Sequence, residues 1–287
     1  MNLKKEFWIL PFIILVGNLV LFSFFFISPA TYEYVIVLKN AESSFAPIRF
    51  FVMVPMLVIG LAILSYITII YIIRYKKDPN DTRQIVLTAL IYLTISLGIF
   101  FFDTVFRFTE KIVKEFIRTL NIYLLFFSIY FLILFGIDIL ISLEDERLKR
   151  RLKVVLNIMG FVNFSFYFIG EVLRIYNHEE DGGIIIAISD YSMYFIVLIS
   201  VVLLIIMSSR SFTIQRRTND ETYKSGLRSL SFSFLLIAIA IIIGFSGQII
   251  DLDLFSDITN VITVFLAISG FWFIYLGFVK PARNQKE

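Results

Sequence analysis

The sequence predicts an all-α polytopic membrane protein. It reads as a bundle of eight transmembrane helices, or seven if the first is a cleaved signal, with an amphipathic helix at the outer interface. Three observations carry that prediction. Hydrophobic residues make up 59% of the 287, and the mean hydropathy is +0.86. Charged residues are only 17%, where a soluble domain carries about 25%. The charges also come in bursts, separated by apolar runs of about the 20 residues a helix needs to cross a bilayer. Strands of a membrane barrel would be about half that length and alternating, so the runs are helical.

Taken in order, the runs cover about 7–29, 50–73, 84–104, 122–142, 154–176, 184–208, 229–250 and 259–279. The first ends near Ser28, Pro29 and Ala30, an acceptable small-residue cleavage site, which leaves the seven-span alternative open. Its apolar run is longer than the roughly 7–15 residues of a signal core, which favours an uncleaved anchor. No loop exceeds about twenty residues, so residues 1–287 are expected to form a single membrane domain. "PNDTR" before the third span and "TNDET" before the seventh occupy equivalent loops and hint at a four-plus-four duplication.

Lysine and arginine set the orientation. With eight spans, 19 of them fall on one side and 7 on the other. The richer side is expected to be cytoplasmic, together with both termini, in a protein of the cell membrane. Four of the seven outer charges lie together, in "DTVFRFTEKIVKEFIRTLN". At about 100° per residue, Arg107, Lys111, Lys114 and Arg118 share a narrow arc, while Phe108, Ile112, Phe116 and Leu120 share the other side. The pattern predicts an amphipathic helix over about 105–120. It is either an interfacial element offering a lipid- or anion-binding surface, or a projecting extension of the fourth span.

The fifth span, with "NIMGFVNFSFYFIGEVLR" at its centre, is the most polar. Asn157, Gly160, Asn163, Tyr167, Glu171 and Arg174 fall within an arc of about 120°. Exposing such a stripe to hydrocarbon costs several kcal/mol, so it must face other helices or a watery cavity. The side with Ile158, Val162 and Phe166 is left to lipid. Glu171 and Arg174, three residues apart, can pair along the helix. At comparable outer depth stand Asp103, Asp190 and Gln248. The expected ligand-binding cluster is therefore Asp103, Asn163, Tyr167, Glu171, Arg174, Asp190 and Gln248; the competing reading is a structural polar seam. Asn18 stands alone in the first span, Thr94 and Ser96 read as helix–helix contacts, and Asp138 is expected to cap against the Arg150–Arg151 region.

Composition excludes several functions. There is no cysteine and a single histidine, His178, which removes disulfides, thiolate nucleophiles, iron–sulfur clusters and multi-histidine metal sites. No cofactor, metal or catalytic set is expected. A net charge of +3 with no basic soluble face argues against nucleic acid. The last span lacks an internal lysine for a retinal Schiff base. Asp103 and Asp138 lie at opposite ends of their spans, which does not suit an aspartyl protease. The remaining reading is a sensory, receptor-like or accessory subunit, its partners being the lipid bilayer and a cytoplasmic or membrane protein met by the basic inner loops. The alternative is a transporter or permease for a small or lipophilic solute. Against it stand thin midplane polarity and Gly244 with Gly247 as the one candidate helix break. A membrane-embedded enzyme comes third.

Overall fold

A computed structural model describes residues 53–105, 111–141, 146–177, 184–249 and 253–278. All seven regular elements are helices: α1 (Val54–Lys77), α2 (Asp81–Val105), α3 (Lys111–Leu140), α4 (Glu146–Asn177), α5 (Ile184–Arg217), α6 (Glu221–Ile249) and α7 (Asp253–Phe278). Seven of the eight expected spans fall on these helices. The first, 7–29, and Asn18 with it, lie outside the described residues.

Local sequence explains where the helices start and stop. Pro55 occupies the first turn of α1, where its missing N–H is no loss, and Arg74, Lys76 and Lys77 close the last turn against the helix dipole. The Asn80 side chain accepts a hydrogen bond from Arg83 N at 2.7 Å, capping α2, and Arg83 pairs with Asp78 across the turn. The Asp220 carboxylate does the same for α6, accepting from Thr222 N at 2.8 Å and Tyr223 N at 3.2 Å. The similarity of "PNDTR" and "TNDET" is thus capping chemistry. The capping residue differs, being the asparagine in one and the aspartate in the other.

Two expectations are decided. From Lys111 onward the amphipathic segment takes the second of its two expected forms, an extension of the fourth span. Residues 106–110 lie outside the described residues, and from Lys111 a single 30-residue helix continues to Leu140. Nothing in "KIVKEFIRTLNIYLL" breaks it, since neither glycine nor proline interrupts the pattern. The second concerns Gly244 and Gly247, which do not break α6. Both face α7, where an added Cβ would strike Thr263 and Thr259 respectively, so they are points of close helix approach.

Each helix packs on its neighbour in sequence, α7 returns to α1, and α3 also touches α5. Short turns force this antiparallel order. The helices are unequal, with α2 and α3 at the centre. In their apolar stretches 61% and 67% of residues are buried, against 28–44% in α1, α5, α6 and α7. Residues 84–90 of α2 and 131–138 of α3 are buried without interruption, so these stretches are covered on every face. Gly136 makes room for Met207 of α5 against the back of α3.

Six helices are long and apolar enough to cross a membrane. The exception is α4, which opens on the charged turns "ERLKRRLK" and carries the polar stripe. Its 32 residues span about 48 Å. The outer surface of the bundle presents large apolar side chains, among them Ile59, Phe161, Leu198 and Phe265. Water would not tolerate so much of it on one molecule, and lipid does. Many polar groups of the interior are satisfied within helices or between them, although the Tyr71, Tyr92 and Ser233 hydroxyls find no hydrogen-bond partner among the described residues. Thr68, Thr88, Thr94 and Thr104 each donate to the carbonyl four residues back.

Candidate functional site

The polarity of the bundle gathers along the seam between α3 and α4. At the end where α3 closes and α4 opens stands Asp138, 8% exposed. Lys149 Nζ and Lys153 Nζ approach the same carboxylate oxygen, at 2.7 and 2.6 Å. The two lysines are four residues apart and so share the face that α4 turns to α3. Arg150 and Arg151, the expected partners, are exposed on other faces. Two cations around one buried carboxylate leave a surplus positive charge at this end of the seam.

Further out, Tyr130 Oη donates to Asn157 Oδ1, and Tyr123 Oη donates to the Phe164 carbonyl at 2.9 Å. Between these bonds the rings stack. Phe127 lies 4.8 Å from Phe164 at 10° between planes, and Tyr92 of α2 lies 5.7 Å from Phe131 at 9°. Gly160 faces the Tyr130 ring, where an added Cβ would make an ordinary contact at 3.6 Å. The seam is thus aromatic in the middle, hydrogen-bonded at intervals and ionic at the end beside the α3–α4 connection. Phenylalanine at Tyr123 is expected to cost about 1 kcal/mol, the net value of one such bond. A thermal midpoint in detergent unchanged from wild type would show that the bond is not made.

The α4 stripe is turned from the outer surface at Tyr167, while Asn157 at its start is exposed. Tyr167 is 4% exposed, against 59%, 42% and 47% for Ile158, Val162 and Phe166 on the opposite side. Among the expected ligand-binding residues, Tyr167 packs its ring 5.3 Å from that of Tyr123. Asn163 is half-buried and turns back on its own helix, Nδ2 donating to the Met159 carbonyl at 2.7 Å. Asp103 and Asp190 are half-buried, near the end of α2 and the start of α5. Tyr194 meets Phe245 at 5.3 Å, which sets the α5–α6 register. Asp190, one turn further out, is then level with the last turn of α6, where Gln248 stands. The side chains of Gln248, Glu171 and Arg174 lie outside the described residues, though all three positions are helical. Of the proposed lipid or anion surface, Arg118 is exposed on α3. Lys111 and Lys114 are placed as helix positions only, and Arg107 lies outside the described residues.

The remaining interhelical polar contacts hold the bundle together. Thr68 and Thr94 meet at 3.2 Å between α1 and α2, and Ser96 Oγ donates to Asn121 Oδ1 at 2.6 Å between α2 and α3. Ser208 and Ser231 exchange hydrogen bonds to each other's carbonyls, both at 2.9 Å, across α5 and α6. Sequence reasoning missed that pair and the roles of Lys149 and Lys153. The (i, i+4) spacing of the lysines opposite a lone aspartate was the available signal for the latter.

Fold and seam together define a class: a multi-pass α-helical membrane protein with a polar, aromatic seam beside a closed two-helix centre. No family model, curated protein or solved structure matches the chain.

Proposed function

We propose that the chain is a receptor-like or accessory subunit of the cell membrane. In this reading it has eight spans, both termini are cytoplasmic, and a polar cluster at the outer end of α4 meets a ligand. The basic inner loops then meet a cytoplasmic or membrane protein partner. One observation carries the reading. Beneath the level of Asn163 and Tyr167, the inner stretches of α2 and α3 are buried on every face, by apolar residues almost throughout. A solute crossing the bundle needs a path through that half, whereas a ligand-reading subunit needs only a firm base on which the outer residues rest. In addition, α4 is attached to α3 by hydrogen bonds, ring stacking and an ion-paired inner end, contacts that resist sliding of one helix on the other.

The absence of cysteine makes the test direct. Single cysteines at Leu87 and Leu134, buried in the inner stretches, are compared with one at Thr222, exposed at the start of α6. A membrane-impermeant thiol reagent is added to either face of vesicles. The expected result is labelling at Thr222 alone until the protein is unfolded. Labelling of Leu87→Cys and Leu134→Cys at the Thr222→Cys rate would replace this reading with that of a transporter for a small or lipophilic solute.

A further inference from the structure

The hairpin of α5 and α6 carries a mirrored pair of motifs. On α5, Phe212 precedes Arg216 by four residues; on α6, Arg228 precedes Phe232 by four. The helices are antiparallel, so the mirrored order sets each arginine one turn nearer the basic end of the bundle than its phenylalanine. The geometry is closed within each pair. The Arg216 guanidinium carbon lies 5.8 Å from the Phe212 ring centroid, and that of Arg228 lies 5.9 Å from Phe232. The two rings meet edge to face at 6.4 Å, and Phe232 reaches Phe273 of α7 at 6.1 Å. Both phenylalanines are 38% exposed, and both arginines are exposed.

Neither arginine pairs with a carboxylate of the described residues. The two acids at the turn of the hairpin are engaged elsewhere: Asp220 caps α6, and Glu221 pairs with Lys224 at 3.0 Å. From each arginine an exposed apolar stripe runs up the membrane face of its helix. On α5 it passes through Phe212, Ile205, Val202 and Leu198, and on α6 through Phe232, Leu235, Ile239 and Ile242. Two adjacent apolar tracks, each headed by a guanidinium with no carboxylate partner among the described residues, at the level where the helices leave the membrane, match an amphiphile with an anionic head and two chains.

We propose that Arg216 and Arg228 hold the phosphate of an anionic glycerophospholipid, whose acyl chains lie along the two stripes. Guanidinium forks suit the phosphate oxygens, and the rings beneath hold the forks in place. A soluble partner protein would leave the stripes unexplained, since they continue to the middle of the membrane. The proposal depends on the chain spanning a bilayer and not on the receptor-like reading.

The test uses the full chain in phosphatidylcholine vesicles that contain spin-labelled phosphatidylglycerol or spin-labelled phosphatidylcholine as a minor component. The wild type is expected to immobilise the anionic label with a preference that falls roughly tenfold in R216Q/R228Q, since each basic residue at a membrane surface contributes measurably to anionic-lipid binding. R216K/R228K should keep part of the preference, having the charge without the fork. R150Q/R151Q, which removes two exposed charges from the start of α4, should lower it less than about twofold. Excess inorganic phosphate at constant ionic strength should not displace the label. The proposal is overturned if the wild type shows no preference or if R216Q/R228Q retains it. It is equally overturned if R150Q/R151Q loses as much, which would mean unspecific charge, or if phosphate competes, which would mean a site for a soluble anion. All the substituted side chains are exposed, and an unchanged thermal midpoint confirms that each variant is folded.

Discussion

Asp138→Asn is expected to lower the stability of the bundle by about 3 kcal/mol, because it leaves two lysine ammoniums at the α3–α4 seam without their shared counter-ion. The carboxylate is 7% exposed, while the lysines keep 25% and 31% of their side-chain surface. The lysines can therefore recover some hydration by turning outward, which limits the loss. Single changes at the lysines separate the terms. Lys149→Met or Lys153→Met leaves one ammonium on Asp138, and each should cost about 1 kcal/mol or less. The double change strands a buried carboxylate and should cost as much as Asp138→Asn. Adding Asp138→Leu to the double lysine change should restore most of the stability, because an apolar replacement of the whole group has no charge left unpaired. Denaturant titration in micelles reads all of these. A wild-type midpoint for Asp138→Asn would mean that the triad is not an energetic tie between α3 and α4.

Gly226→Ala is the second large effect, expected at about 2–3 kcal/mol. The added methyl would stand 2.8 Å from the Gly277 carbonyl oxygen, and the reciprocal methyl at Gly277 would stand 2.9 Å from the Gly226 carbonyl oxygen. Backbone cannot step aside as a side chain does, so α6 and α7 must separate along their inner turns. At Gly136, by contrast, the obstacle is the flexible Met207 side chain. Gly98→Ala is the control: its methyl would meet nothing nearer than Leu61 Cδ2 at 4.0 Å. There the change should be neutral or stabilising by up to about 1 kcal/mol, as alanine is the better helix former. Equal losses at Gly98 and Gly226 would show that the close approach of α6 and α7 is not what the glycines serve.

The class of protein and the positions of seven helices, six of them long and apolar enough to cross a membrane, were legible because hydropathy and length are properties of consecutive residues. The facing of α4 was legible for the same reason. A period of 3.6 residues sorts Tyr167 from Ile158 and Val162 without reference to any other helix, and burial follows that sorting there, though not at the exposed Asn157. Legibility stopped where two helices had to be set against each other. Asp138 was expected against the Arg150–Arg151 region, and it is the rotation of α4 that selects the flanking Lys149 and Lys153 from that basic run as its partners. Gly244 and Gly247 read as a break because glycine is a poor helix former, yet their lack of a Cβ serves contact with Thr263 and Thr259. The amphipathic stretch before the fourth span has the periodicity of an interfacial helix. Periodicity cannot tell whether a helix ends at Leu120 or runs on, and here it runs to Leu140.

The chain alone therefore determined an α-helical membrane protein with one polar helix among oily ones, no thiol chemistry and most of its positive charge at one end. It also determined which side of the polar helix is turned from lipid. Only the tertiary structure decided what that side meets: Tyr123 and Tyr130, stacked rings, and an aspartate between two lysines. It also decided that α2 and α3 form the closed centre, and that two Phe–Arg pairs far apart in sequence stand together at the α5–α6 hairpin. The physical reason is that the membrane acts on each helix separately, through the transfer energy of its own residues. Contacts between helices depend on register and rotation, and those follow from packing across the whole bundle.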